Sequence, residues 1–170
     1  MSKTSFRLAT HSEIPAIWEI IQFAIKSRKA DGSNQWQDGY PNPDVLKNDI
    51  DNNVGYVLLV DDEVAGYSAI LVNDEPEYEK IVGKWITNDD FIVFHRVAIG
   101  EKFIGQGLAK KIFSYIEDIA KDKNIQSVKA DTNFDNPAMI NLFEKLDYKY
   151  CGEVYFRGSP RKAYEKVLNS

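Results

Sequence analysis

The 170-residue sequence predicts an α/β (α+β) fold in which a mixed sheet carries helices on both faces. Three observations lead there. β-branched runs alternate along the chain with segments of helical apolar spacing. A nearly continuous apolar run over 90–99 suits a buried, central strand. Residues 95–109, HRVAIGEKFIGQGLA, pass from that strand through a glycine-bearing turn straight into an amphipathic helix.

Residues 5–9, SFRLA, alternate briefly and read as a short strand. Thr10 and Glu13 then form a capping-box pattern ahead of Ile14, Ile17, Trp18, Ile21 and Ile25, whose spacing predicts a helix to about Arg28. Segment 30–42, ADGSNQWQDGYPN, is polar and glycine-containing, yet unusually aromatic for a loop. Pro43 opens a second helix. Residues 55–60 and 64–72 read as strands of a hairpin turning at Asp61-Asp62-Glu63. Residues 73–88 form a charged excursion with no pattern that declares its role. After the strand at 90–99 come a helix at 108–121 and a short strand from Gln126 to Ala130. Asn136-Pro137 opens a last helix, with Met139, Ile140, Leu142, Phe143 and Leu146 on its buried side. Two final strands, about 148–157 and 161–168, are separated by Gly158-Ser159-Pro160. The element order is β-α-α-β-β-β-α-β-α-β-β.

Composition narrows the function. At 44% hydrophobic content the chain can fill the core of one domain over 1–170. A net charge of −5 argues against general nucleic-acid or anionic-membrane binding and slightly favours a cationic small-molecule partner. One cysteine and two histidines leave no basis for a disulfide framework or a metal site. The N-terminal residues MSKTSFRLATHSE lack an apolar signal core, and no apolar run approaches the ~18 residues of a membrane span. A cytoplasmic protein is the expectation.

The stretch 95–109 is built like an anion cradle. The first N–H groups of a helix have no intrahelical partner, and the helix dipole adds partial positive charge at that end. Small residues let the backbone approach a phosphate. No Gly-Lys-Ser/Thr follows, since Gly107 precedes Leu108-Ala109-Lys110, so a P-loop nucleotide site is a poor fit.

These residues resemble the GNAT superfamily of acyl-CoA-dependent N-acetyltransferases. The family's phosphate-loop motif, Gln/Arg-x-x-Gly-x-Gly/Ala, falls on Ile104-Gly105-Gln106-Gly107-Leu108-Ala109, with Ile104 as the departure. A second block, Asp131-Thr132, Asn136, Met139, Leu142-Phe143-Glu144-Lys145-Leu146 and Asp147-Tyr148, is similar to the family's D-T-x-x-x-N…L-Y-E-K-L-G-F segment. The resemblance covers roughly residues 5 to 168. It implies a mostly antiparallel sheet of about seven strands, splayed between the fourth and fifth, and acetyl-CoA as co-substrate with no metal.

Residue roles follow from the same resemblance. Val97, Ala98 and Ile99 on the fourth strand would bind the acyl carbonyl and pantetheine arm, although nothing in the sequence displays the bulge that opens that gap. Residues Ile104 to Ala109 would hold the pyrophosphate, with Lys102, Lys110 and Lys111 as nearby charge. Asn136 would contact the cofactor, or simply cap its helix. Phe143 stands where the family usually carries a tyrosine acid, so it can only pack. His95 is the candidate proton acceptor, because a neutral imidazole can take an ammonium proton directly or through water. The alternative is a hydrogen-bonded strand histidine.

Around the aromatic loop, Trp36 and Tyr40 could stack on an acceptor amine or plug the first helix. Arg96, charged within an apolar run, calls for a carboxylate or carbonyl partner and reads as structural. The implied activity is direct acetyl transfer from acetyl-CoA to a primary amine of a small molecule or peptide. The alternative is an acyl-CoA-binding sensor on the same fold. Dimers are common in this superfamily, which leaves a homodimer open.

Overall fold

The computed structural model describes residues 2–168. The elements run β1 (Thr4–Leu8), α1 (Ile14–Ala30), α2 (Pro43–Asp51), β2 (Gly55–Val60), β3 (Glu63–Val72), β4 (Val82–Gly83), β5 (Ile92–Ile99), α3 (Leu108–Asp122), β6 (Ser127–Asn133), α4 (Pro137–Lys145), β7 (Lys149–Phe156) and β8 (Ser159–Val167). Strand order is β1-β2-β3-β5-β6-β8-β7-β4. The β5–β6 pairing is parallel, while β1–β2, β2–β3, β6–β8, β7–β8 and β4–β7 are antiparallel. The sheet is thus mixed and mostly antiparallel, as the sequence implied, with eight strands rather than about seven. The additional strand is β4, two residues long and hidden in the charged excursion. Among the described residues, no helix is long and apolar enough to cross a membrane.

Contacts divide the chain into two compact units. One holds the residues up to Ile70 together with Arg96–Tyr115; the other holds Leu71–His95 and the residues from Ile116 onward.

In the first unit, the Glu13 carboxylate accepts the Thr10 N–H at 2.9 Å, which is the expected start signal. A 3-10 turn over His11–Glu13 leads into α1. Asn42 caps α2 by accepting the Val45 N–H at 3.0 Å, with Pro43 at the first helical position. Asp61 and Asp62 both have positive φ, 49° and 70°, and close a two-residue type I′ hairpin between Val60 and Glu63. Ile17, Ile20 and Ile21 of α1 pack with Leu46 and Ile50 of α2, Val57 and Leu59 of β2 and Tyr67 of β3. Each such aliphatic side chain contributes about 1.5–3 kcal/mol of burial.

In the second unit, β8 is central and pairs with β6 from Ser127↔Val167 to Asn133↔Arg161. Its other edge pairs with β7 through a two-residue turn, Arg157-Gly158, again with positive φ at both positions. Ser159 and Pro160 therefore belong to the strand and not to the turn expected from the sequence. The parallel β5–β6 ladder covers only Ile92↔Val128 and Val93↔Lys129, although β6 is seven residues long. Beyond those two pairs β6 continues against β8 alone, which is the splay the resemblance implies.

The charged excursion folds over this sheet. Tyr78 and Trp85, 2% and 8% exposed, join Val93, Cys151, Val154 and Ala163 in a core cluster. Trp85 Nε1 donates to the Tyr78 carbonyl at 2.8 Å. Gly83 and Gly152 face one another across β4–β7 with φ of +140° and +143°. A Cβ on Gly83 would lie 2.2 Å from the Cys151 carbonyl oxygen, and one on Gly152 would lie 2.3 Å from that of Val82. Only two glycines allow the backbones to come this close.

Candidate active site

In the first unit, β5 ends at Ile99, and Gly100 donates its N–H to the Ala65 carbonyl at 2.8 Å. A 3-10 turn over Glu101–Phe103 follows, with Phe103 buried as its plug. Gly105 and Gly107 then take φ of +83° and +72°, and nothing lies within 4 Å of where their Cβ atoms would be. The loop is left-handed at two points and open on its outer side. Lys111 donates to the Gly107 carbonyl at 3.2 Å, so the N–H groups of Leu108, Ala109 and Lys110 precede the helical ladder. Strand, glycine turn and exposed helix start are the parts an oxyanion cradle needs. Val97 to Ile99 and Ile104 to Ala109 are thus gathered in one continuous stretch. Ile104 is 57% exposed. Lys102 is engaged by Glu63 at 2.9 Å, whereas Lys110 and Lys111 are exposed.

Arg96 carries φ of +58° inside β5, a left-handed kink in mid-strand. It has the partner its sequence context called for. Its guanidinium donates to both Asp49 oxygens of α2, at 2.7 and 3.0 Å, and Tyr67 donates to the same carboxylate at 2.6 Å. A fourth group closes the network: the Tyr40 hydroxyl accepts from Arg96 Nη1, and the guanidinium sits 5.9 Å from the Tyr40 ring centroid. Tyr40 therefore spends its ring and hydroxyl on the chain's own arginine. Trp36 lies half-buried in the same loop with φ of +65°. The loop is tied back on α1 by Gln37, which donates to the Ile25 carbonyl at 2.9 Å.

In the second unit, His95 Nε2 lies 2.9 Å from Glu75 Oε2, with the two side chains 19% and 12% exposed. Against an ionised Glu75 carboxylate Nε2 is the donor, which in a neutral imidazole makes Nδ1 the accepting nitrogen. Asp131 accepts a hydrogen bond from the Tyr78 hydroxyl at 2.7 Å. Burial pushes the Asp131 carboxyl above its ordinary pKa, against the pull of His95, Tyr78 and Arg161. Burial also lifts the Tyr78 phenol, with Asp131 adding to it, so that phenol stays a donor. Nearby, Lys129 is 3% exposed and lies 4.5 and 4.2 Å from the Trp85 and Phe91 ring centroids. Burial lowers its pKa. A cavity of about 660 Å³ opens here, lined by Glu75, Tyr78, Trp85, Phe91 and Lys129 among others.

Asn136 caps α4, accepting the Met139 N–H at 3.2 Å. Phe143 is 1% exposed and stacks among Phe94, Tyr148 and Tyr164. Its ring is core packing in the structure, and any part it has at a cofactor comes through the placement of α4. Glu75 and Asp49 are among the groups that escaped the sequence reading. Glu75 sits in the excursion, where no periodicity flagged it, and Asp49 looked like one more acid on a helix. Among the described residues, no group of three or more metal-ligating side chains comes together.

Comparison with known proteins shows what the chain is similar to. The model of the acetyltransferase (GNAT) family matches residues 18–148. An acetyltransferase of the GNAT family from Streptococcus agalactiae is 34% identical, superposes with a TM-score of 0.89, and the match covers 98% of this chain and 96% of that one. A second GNAT-family structure, from Listeria monocytogenes, shares the fold at 17% identity and TM-score 0.78, over 97% and 95% of the two chains. So does yncA of Salmonella typhimurium, solved with its cofactor acetyl-CoA, at 18% identity and TM-score 0.67, over 98% and 95%. An uncharacterized N-acetyltransferase of Bacillus subtilis, YesJ, is 23% identical over 123 residues, 71% of this chain and 68% of that one.

Proposed function

We propose that this chain, which belongs to the acetyltransferase (GNAT) family, moves an acetyl group from acetyl-CoA to a primary amine by direct attack. The observation that carries the reading is the double left-handed loop at Gly105 and Gly107, open on its outer side and running into the start of α3. Its donors are backbone amides, so the isoleucine at 104 costs the cradle a side chain and none of its N–H groups. Val97 to Ile99, next to the left-handed Arg96, supply the strand backbone along which the acyl arm extends.

His95 is the proposed base. With Nε2 donating to Glu75, its Nδ1 takes the proton from the acceptor ammonium, directly or through water. The amine lone pair then forms a bond to the thioester carbonyl carbon. The tetrahedral adduct gives its remaining ammonium proton to solvent and collapses by breaking the C–S bond, whose electron pair leaves on sulfur. The coenzyme thiolate collects a proton from solvent. Phe143 donates nothing, which is consistent with solvent as the source. The products are the acetamide and free coenzyme A thiol.

Two measurements test the reading on the full chain. Acetyl-CoA should raise the melting temperature, and thiol should be released when amines are added. Stabilisation without turnover on any amine would move the conclusion to an acyl-CoA-binding sensor. No stabilisation would overturn the cofactor site itself.

A further inference from the structure

Asn133 and Arg161 are direct cross-strand partners in the β6–β8 ladder, and their side chains share one face of the sheet. Each carries a buried polar atom with no hydrogen-bond partner, the acceptor Asn133 Oδ1 and the donor Arg161 Nε. Asn133 is 8% exposed, and the Arg161 side chain is 12% exposed. An orphaned buried polar atom costs about 1–3 kcal/mol, and two at one register position is a costly arrangement. The Arg161 guanidinium stacks on Phe156, 5.6 Å from the ring centroid. Its nearest carboxylate oxygen, Asp131 Oδ1, is 3.8 Å from Nη1, beyond hydrogen-bond reach. The other oxygen of Asp131 is engaged by Tyr78. The same unit holds His95, whose ring lies edge-on to Phe156 with the centroids 6.4 Å apart. A desolvated guanidinium fork, an amide oxygen and a candidate base thus occur together.

We propose that Arg161 and Asn133 bind the acceptor, and that the acceptor is an amine bearing a carboxylate, of the amino-acid class. The inference rests on the acetyltransfer reading above. The carboxylate fills the guanidinium fork, which matches its planar geometry. Asn133 Oδ1 takes a hydrogen bond from an N–H of the same molecule. A single water could satisfy the two orphan atoms but could not neutralise the guanidinium. The guanidinium, whose Asp131 partner stays 3.8 Å away, thus offers an anion a positive group on a chain of net −5, where composition alone slightly favoured a cationic acceptor.

The test is acetyl transfer to matched pairs, each an amino acid and the amine left on decarboxylation: leucine with isopentylamine, phenylalanine with phenethylamine, methionine with its amine, and lysine with cadaverine. At least one amino acid should exceed its amine in kcat/KM by about 10- to 100-fold, the equivalent of one charge-assisted pair. Arg161→Gln should shrink that ratio to about twofold, mainly through KM. Asn133→Asp should do the same while raising the melting temperature, because it supplies Arg161 with an internal carboxylate. That variant keeps the test decisive if Arg161→Gln folds poorly. Transfer to the amines as readily as to the acids would overturn the inference and leave the acetyltransferase reading standing, as would an unchanged ratio in both variants. No transfer to any member would overturn both.

Discussion

Arg96 grips Asp49 with Nη2 on Oδ1 at 2.7 Å and Nε on Oδ2 at 3.0 Å, from a backbone whose φ is +58°. A left-handed non-glycine residue costs about 1–2 kcal/mol, so the kink persists because the side chain is held. The two side chains are 10% and 5% exposed, and removing one charge strands the other. Asp49→Ala should therefore cost about 3–5 kcal/mol in urea unfolding. A loss below about 1 kcal/mol would mean that the kink is set by the strand and not by this pair.

His95→Ala should lower turnover strongly while leaving coenzyme A affinity, read by thermal shift, nearly unchanged. A positioned base contributes about 10²–10⁴-fold. Glu75→Gln keeps the size of the side chain but removes the anion that fixes which ring nitrogen is protonated, so it should lose less. Turnover unaltered in His95→Ala across the pH range would sink the base assignment.

Gly107→Val places a β-branched residue at φ +72° on the open side of the loop. Added strain of about 1–2 kcal/mol per left-handed residue, together with a side chain over the amides, should weaken coenzyme A binding by at least about tenfold. Undiminished affinity would show that the phosphates bind elsewhere.

Gly152→Ala meets backbone, which cannot rotate aside. The new Cβ falls 2.3 Å from the Val82 carbonyl oxygen, so β4 must lift from β7. The expected loss is about 3 kcal/mol, at the upper end of overpacking effects. Hydrogen exchange should increase first at Val82 to Trp85. A variant as stable as the parent would contradict the close crossing.

Asp131 supplies a pH dependence of known sign. Its carboxyl is held above the ordinary value by burial, although His95, Tyr78 and Arg161 act the other way and Glu75 adds to the rise. The folded state thus binds the proton more tightly than the unfolded state. The associated stability is present below the ordinary value of 3.8 and is lost as pH rises through the higher folded value. Asp131→Asn stays neutral throughout, so its melting temperature relative to the parent should climb with pH across that window and then level off. A difference that stays flat with pH would rule out burial as the dominant influence.

Much of this molecule was legible without coordinates, because local chemistry decides it. Pro43 marks one helix start through its fixed φ, and Thr10 with Glu13 and Asn136 with Pro137 mark others through hydrogen bonds made within three residues. The apolar spacing of Ile17 and Ile21 needs no partner to be read. The glycine loop at 105–107 declared itself because glycine takes left-handed backbone angles without a Cβ penalty. What tertiary structure alone decided was which distant charges meet. Arg96 announced that it required a partner, but Asp49 lies 47 positions away and became that partner only when α2 was laid beside β5's kinked end within one unit. Glu75 reached His95 because the excursion folds back over its own sheet, held by Tyr78, Trp85 and the Gly83–Gly152 crossing. Asn133 and Arg161 became neighbours through strand register, a property set by pairing across the whole ladder and not by either residue's surroundings in sequence.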